Sequence, residues 1–359
     1  MNKKILILTS LPLLMASCAG KNNNASASSK DSTSESTSVP ASDSAKTSTS
    51  DSSSEEEKIT VSSYVKSVAE TAPVLQTGKY GGKDVDYVIT SQPFLFASQQ
   101  KNSALSVYAN VAEKFGKKYS TDGFPQAGLF IKRSLAEDTA KANDIYSFLA
   151  AVDEDSKDLV NGATNAVSNM VSYSSDVTVQ ASKFGFNRNV LKNVQKTNGL
   201  AFITKDKNPD ATSFAKFNDP LGINITASDL SSYYTASLPE GTRASTSLSF
   251  SVLTPQGAPS ALFTRYASSD NFVTGQPADV QAAFRSGEKD FIVFDSANGL
   301  KLSKKNNNNY LLVRMVTFGN LYLVSTGHDS NNKLDSTDKV VGYGEGLVPD
   351  FAFKAVYSA

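Results

Sequence analysis

The chain has 359 residues, with 35 Lys plus Arg balancing 35 Asp plus Glu, and it carries one Cys, one His and no Trp. Zero net charge argues against a nucleic-acid binder, which needs a basic face to neutralise phosphates. A single Cys excludes an intramolecular disulfide and a Cys-based zinc site, and a single His excludes multi-His metal sites and leaves little room for Ser-His-Asp chemistry.

Residues 1–17 have the layout of a secretory signal. Lys3 and Lys4 make a basic start, Ile5 to Met15 are mostly apolar, and the small Ala16 and Ser17 precede Cys18. The apolar stretch is too short to span a bilayer. Small residues directly before Cys18 resemble a bacterial lipobox, with Met15 where Leu is more usual. Cys18 is therefore expected to become the lipidated N-terminus after cleavage, where more than one acyl chain gives stable anchoring. Residues 19–57 are dominated by Ser and Thr and have almost no large apolar side chain. Such a segment buries too little surface to offset its ordering entropy, so a disordered tether is expected, reaching roughly 35 Å root-mean-square.

The folded part is expected over 58–359. Ile59–Tyr64 reads as a strand, and Val65–Thr77 as a helix closed at Gly78 by a left-handed cap. Asp86–Ile89 is a buried-strand run, followed by the polar Thr90, Ser91 and Gln92; Gly128–Ile131 is another. Ser134 and Glu137 have capping-box spacing, so a helix is expected to start there, with Ile145, Phe148, Leu149 and Val152 on one face. Residues 157–200 read as further helix, and 224–245 as a polar surface connection.

In the last third, Leu248–Leu253, Phe291–Phe294, Leu311–Thr317, Leu321–Val324 and Val340–Tyr343 read as strands. Asp279–Ser286 is a short helix stopped by Gly287, and Pro349–Tyr357 a terminal helix. Strand–helix alternation with uninterrupted apolar strands predicts an α/β fold with mainly parallel sheets. The segment Gly82–Ser91 also echoes Gly287–Ser296: each is a Gly stop, a strand and a polar loop at the strand's carboxyl end. Two such units predict two similar lobes, with a cleft lined by those loops.

Six phrases carry a resemblance: GKDVDYVITSQPF (82–94), GFPQAGLFIKRSLAED (123–138), SVLTPQGAPSALF (251–263), AAFRSGEKDFIVFD (282–295), VRMVTFGNLYLVS (313–325) and GEGLVPDFAFKAV (344–356). Together they are similar to substrate-binding lipoproteins of bacterial ABC importers, of the nitrate/taurine/thiamine-precursor-like type with the type II periplasmic-binding fold. The resemblance covers most of 59–359. Its order departs from the family, where the equivalent of Leu248–Pro259 comes near the mature N-terminus and the equivalents of 60–94 and 123–134 come last. A circular permutation is the expected cause, with a fusion of two partial copies as the alternative. The new ends would fall before Ile59 and after Tyr357, and the old ends would be joined through 224–245. One lobe would then span about 124–325, and the other about 58–123 plus 338–359.

The resemblance implies a monomeric, lipid-anchored protein on the extracellular face of the cell membrane. It would bind rather than catalyse, use no cofactor or metal, and pass a small molecule to permease and ATPase subunits. Alternatives are an adhesive or structural lipoprotein on a degenerate scaffold, or an enzyme on the same scaffold. Candidate ligand residues sit at the strand ends: Gln256, Gly257, Ala258, Ser260, Asp295, Ser296, Thr317 and Asn320 in one lobe, and Thr90, Ser91, Gln92, Gly344, Glu345 and Gly346 in the other. Tyr64, Phe94, Phe124 and Phe318 are aromatic candidates. Amides at helix starts favour an anion, whereas Asp295 and Glu345 favour a cation, so these residues leave the ligand's charge open. His328 reads as an exposed loop residue. Asp329, Asn331, Asp335 and Asp338 only faintly resemble a calcium loop, since Lys333 occupies a ligand position and neither the glycine nor the closing Glu is present.

Overall fold

The structure is a computed structural model. It describes residues 58–160, 182–197, 200–203, 214–223, 226, 238, 241–242, 248–267, 269–305, 309–329 and 333–358. The expected signal, Cys18 and the tether fall outside these residues, as do most of 224–245 and Asn331. Among the described residues no helix is long and apolar enough to cross a membrane.

The strands are β1 Val61–Val65, β2 Lys79–Tyr80, β3 Lys83–Asp84, β4 Tyr87–Thr90, β5 Ser106–Asn110, β6 Pro125–Lys132, β7 Val252–Pro255, β8 Phe272–Gly275, β9 Phe291–Asp295, β10 Tyr310–Phe318, β11 Tyr322–Ser325 and β12 Val340–Tyr343. The helices are α1 Thr71–Thr77, α2 Phe94–Gln99, α3 Val111–Tyr119, α4 Arg133–Ala136, α5 Ala142–Val160, α6 Arg188–Lys196, α7 Pro277–Ser286, α8 Ser296–Lys305 and α9 Val348–Tyr357. Short 3₁₀ segments cover Val68–Glu70, Thr139–Lys141 and Ala258–Tyr266, the last kinked at Phe263.

Two five-stranded sheets result, in the orders β1-β12-β4-β11-β5 and β10-β6-β9-β7-β8. They are built alike. In the first, β1, β12 and β4 run parallel and β11 is antiparallel to both its neighbours, β4 and β5. In the second, β8, β7 and β9 run parallel and β6 is antiparallel to both β9 and β10. In each sheet the antiparallel strand arrives directly from the other sheet: β11 follows β10, and β6 follows β5 and α3.

The sheets are therefore mixed, not mainly parallel. The cause of the misreading lies in burial. β6, β9 and β10 are covered on both faces, so that Phe130, Ile292 and Leu312 enter one core cluster while Leu129, Val293 and Val313 enter another. An antiparallel strand buried on both faces reads as the same unbroken apolar run as a parallel one. The chain also changes sheet earlier than the expected boundary at 325, because β11 pairs with β4 and β5.

Local differences have similar reasons. The long helix begins at Ala142, not Ser134, which lies inside the single turn α4; Ile145, Phe148, Leu149 and Val152 are buried on it as expected. The segment 65–77 is β1's end, a 3₁₀ turn and α1, which Gly78 closes at φ 64°. Aromatic pairs fill both cores, among them Phe115 against Phe124 at 5.2 Å and Phe148 against Phe291 at 4.4 Å. The first described residues meet the last: Ile59 N donates to Tyr357 O at 3.0 Å, and β1 pairs in parallel with β12.

Candidate functional site

The carboxyl ends of the parallel strands of both sheets face a cleft of about 120 Å³. From the first sheet come Lys66 to Ala69 after β1, Ser91 after β4, and Tyr343, Gly344, Leu347 and Pro349 after β12. From the second come Gln126 and Ala127 on β6, Pro255, Gln256, Ala258 and Pro259 after β7, and Gly275 to Pro277 with Val280 after β8. Phe294 and Asp295 on β9, Thr317 on β10 and Asn320 complete the wall. The lining is largely apolar, with a small set of polar groups.

Two of those polar groups stand out by what they lack. Ser67 Oγ and Thr317 Oγ1 are buried without a hydrogen-bond partner, on residues only 7% and 1% exposed. One comes from each sheet. A buried hydroxyl without a partner costs about 1–3 kcal/mol, so such groups persist where something else satisfies them.

Several other polar groups of the wall are already engaged. Asn320 clamps the backbone of Gln92, donating to Gln92 O at 2.9 Å and accepting from Gln92 N at 2.9 Å. Gln126 holds the backbone of Asn320 in turn, accepting from its N at 3.2 Å and donating to its O at 3.3 Å. These bonds brace the two places where, among the described residues, the chain passes directly from a strand of one sheet to a strand of the other. Tyr343 OH accepts from Gln126 Nε2 at 3.4 Å and bonds Ser91, and burial raises the phenol above its ordinary value.

Asp295 joins the two halves of the cleft. Its Oδ1 accepts from Asn298 N at 2.9 Å and Asn298 Nδ2 at 3.1 Å, capping α8. Its Oδ2 accepts from Val348 N at 2.6 Å, the first residue of α9 on the opposite side. The cap residue of α9, Leu347, supplies no side-chain bond of its own. Burial raises the Asp295 carboxyl, against the amide donors that lower it. Asn298 Nδ2 adds a bond to Gly346 O at 3.0 Å.

Of the residues expected at the site, Ser91, Gln256, Ala258, Asp295, Thr317, Asn320 and Gly344 line the cleft. Thr90, Gln92, Gly257, Ser260, Ser296, Glu345 and Gly346 are not on its wall. Thr90 bonds Thr71 at 2.7 Å, Ser260 turns to Gly257 O at 2.7 Å, and Ser296 donates to Pro125 O at 2.7 Å. Gln92 is held by Asn320, and its Oε1 accepts from Phe96 N at 3.2 Å. Gly257, at φ 111°, lets Phe94 pack closely against its backbone. Glu345 is exposed, and Gly346 N donates to Asp350 at 2.9 Å.

The expected aromatics serve structure. Tyr64 donates to the buried Asp350 at 2.5 Å, Phe124 packs on Phe115, Phe318 packs on Phe217 at 6.0 Å, and Phe94 covers Gly257. The cleft uses Phe294 and Tyr343 instead. Sequence reasoning missed these two, with Lys66, Ser67 and Gln126. Ser67 carried a usable signal, since it stands directly between strand β1 and a helical turn, as the other strand-end candidates do. His328 is exposed, lies off the cleft wall and sits against Gly78. Among the described residues no cluster of His, Cys, Asp and Glu could hold a metal ion.

No family model matches the chain, and no curated protein or solved structure matches it.

Proposed function

We propose that this chain is the solute-binding component of an ABC importer, anchored on the extracellular face of the cell membrane by lipid on Cys18. Its fold on this reading is a circularly permuted type II periplasmic-binding fold, with each sheet the centre of one lobe. A small molecule is captured between the lobes, the crossings braced by Asn320 and Gln126 act as hinges, and the closed form docks on a permease with its ATPase. Closure around ligand is a known class of domain motion.

One observation carries the reading. The cleft lies between two sheets of the same strand pattern, and each contributes to its wall one residue whose buried hydroxyl has no partner. Matching strand patterns with exchanged antiparallel strands support two related lobes. The Ile59–Tyr357 hydrogen bond supports the permutation, which requires the new ends to lie together.

The test is thermal-shift and equilibrium-dialysis screening of the full chain against vitamins, sulfonates, amines and bicarbonate. A solute at 100 times its Kd adds about 2.7 kcal/mol of stability. Stabilisation by one solute class, lost in Thr317→Val, supports the reading; no stabilisation across the panel counts against it.

A further inference from the structure

We propose that the cleft takes a small uncharged molecule, held by hydrogen bonds to Ser67 Oγ and Thr317 Oγ1, and discriminates against anions and cations of the same shape. The inference rests on reading this cleft as a ligand site.

The argument against an anion begins with the helix starts. The amino termini of α7, α8 and α9 come to or beside the cleft, and such termini ordinarily attract negative groups. Here each is already occupied by a carboxylate of the chain. Asp279 Oδ2 accepts from Gln276 N at 3.1 Å at the start of α7. Asp295 caps α8 and α9 with its two oxygens. An incoming anion would find those amides already bonded to carboxylates of the chain. The cation on the wall, Lys66, is exposed and therefore well solvated.

The argument against a cation uses the same carboxylate. Asp295 lines the cleft, yet its oxygens accept from Asn298 N, Asn298 Nδ2 and Val348 N. Glu345, the other acid expected there, is exposed and off the wall. A cation entering would lose its hydration without gaining a free counter-charge, and burying an unpaired charge is strongly unfavourable.

Among the buried side chains of the wall, the groups left open for bonding are neutral hydroxyls. Ser67 and Thr317 each offer one donor and acceptor capacity from opposite sheets. Around them, Val68, Val280, Phe294 and Leu347 supply apolar wall. At about 120 Å³ the space compares with the roughly 150 Å³ cavity known to hold benzene, so the fit is to a single ring or its equivalent bearing polar substituents.

Isosteric probes test this directly. Benzamide, benzoate and benzamidinium differ in charge but little in shape, and the pyridyl and cyclohexyl triplets extend the set. Each is titrated into the full chain by calorimetry and ligand-observed NMR. Expected is saturable binding of an amide about tenfold tighter than either charged isostere. Thr317→Val and Ser67→Ala should each weaken amide binding about three- to tenfold, the worth of one hydrogen bond. Thr317→Ser, which keeps the hydroxyl, should stay near wild type, and Glu345→Gln should change nothing. Tightest binding of a carboxylate or amidinium, still lost in Thr317→Val, overturns the uncharged class and leaves the binding-site reading standing. A change on Glu345→Gln overturns the charge argument as well. Saturable binding of no probe in any triplet overturns both readings.

Discussion

Asp295→Ala tests the joint between the two sides of the cleft. The substitution removes three accepted hydrogen bonds, at 2.6, 2.9 and 3.1 Å, and leaves two helix starts uncapped. Each lost cap costs about 1 kcal/mol, so about 2 kcal/mol is expected in all. For a folded unit of about 300 residues, the entropy of unfolding converts this to a fall in Tm of about 3 °C. Urea denaturation followed by circular dichroism gives the free energy, and calorimetry gives the Tm. Hydrogen exchange gives a local signature: amides at Val348 and Asn298 should lose protection beyond what the global change explains. Asp295→Asn keeps one acceptor oxygen but turns an NH₂ toward an amide donor, so it should fall between the two. A loss below about 0.5 kcal/mol, with exchange at Val348 unchanged, would refute the claim that this carboxylate ties α9 to the second sheet.

Three further outcomes follow from the same geometry. Arg265→Leu strips the buried Asp155 of its bidentate partner, at 2.8 and 2.5 Å, and should cost about 3–5 kcal/mol near pH 8 by denaturant titration. Burial already pushes the Asp155 carboxyl up to about 6 despite Arg265. Without the arginine the folded value rises further above the unfolded one. The folded variant then keeps its proton where the unfolded chain has lost it, so the penalty should shrink as pH is lowered toward 5 and grow as it is raised. Asn320→Ala frees both backbone groups of Gln92 and should cost about 2–4 kcal/mol in the same assay. Cys18→Ala should move the chain from the membrane fraction to the medium; retention at the membrane would remove the lipid anchor from the proposed function.

How far the sequence speaks depends on whether a feature is local. Gly78 and Gly287 end their helices in the left-handed conformation, at φ 64° and 71°, as their positions imply. The apolar run Tyr87–Thr90 is buried throughout. By contrast, β5 carries exposed Val107 and Tyr108 at a sheet edge, and no apolar pattern marks it. Strand direction was not legible, since coverage on both faces erased the alternation that would mark β6 and β10. At the site, residue type suggested polarity but not occupancy. Ser260 and Thr317 both follow or end second-sheet strands, yet one hydroxyl turns back to Gly257 O and the other has no partner. That difference depends on the fold around them. The charge question was open for the same reason: Asp295 reads as a ligand for cations until Val348 and Asn298 are seen to use it.

The proposed permutation asks why a chain could begin at β1 without losing the fold. β1 is the edge strand of the first sheet, so a terminus there interrupts no central pairing. It is also held at both ends of its register. Val61 pairs with Val340 and Val65 with Tyr343, and Ile59 N reaches Tyr357 O just ahead of the strand. Tyr64 reaches across to the buried Asp350 of α9, which also accepts from Gly346 N and Lys354 Nζ. On that proposal, contacts that a continuous chain would make through a peptide link are made by hydrogen bonds and packing. The entropic difference is small, because the cost of closing a connection grows only with the logarithm of its length. The cleft keeps its wall for the same reason. Lys66 to Ala69 emerge from β1, and Tyr343 to Pro349 from its partner β12. Parallel pairing of those two strands brings both segments to one end of the sheet, whichever of them the chain reaches first.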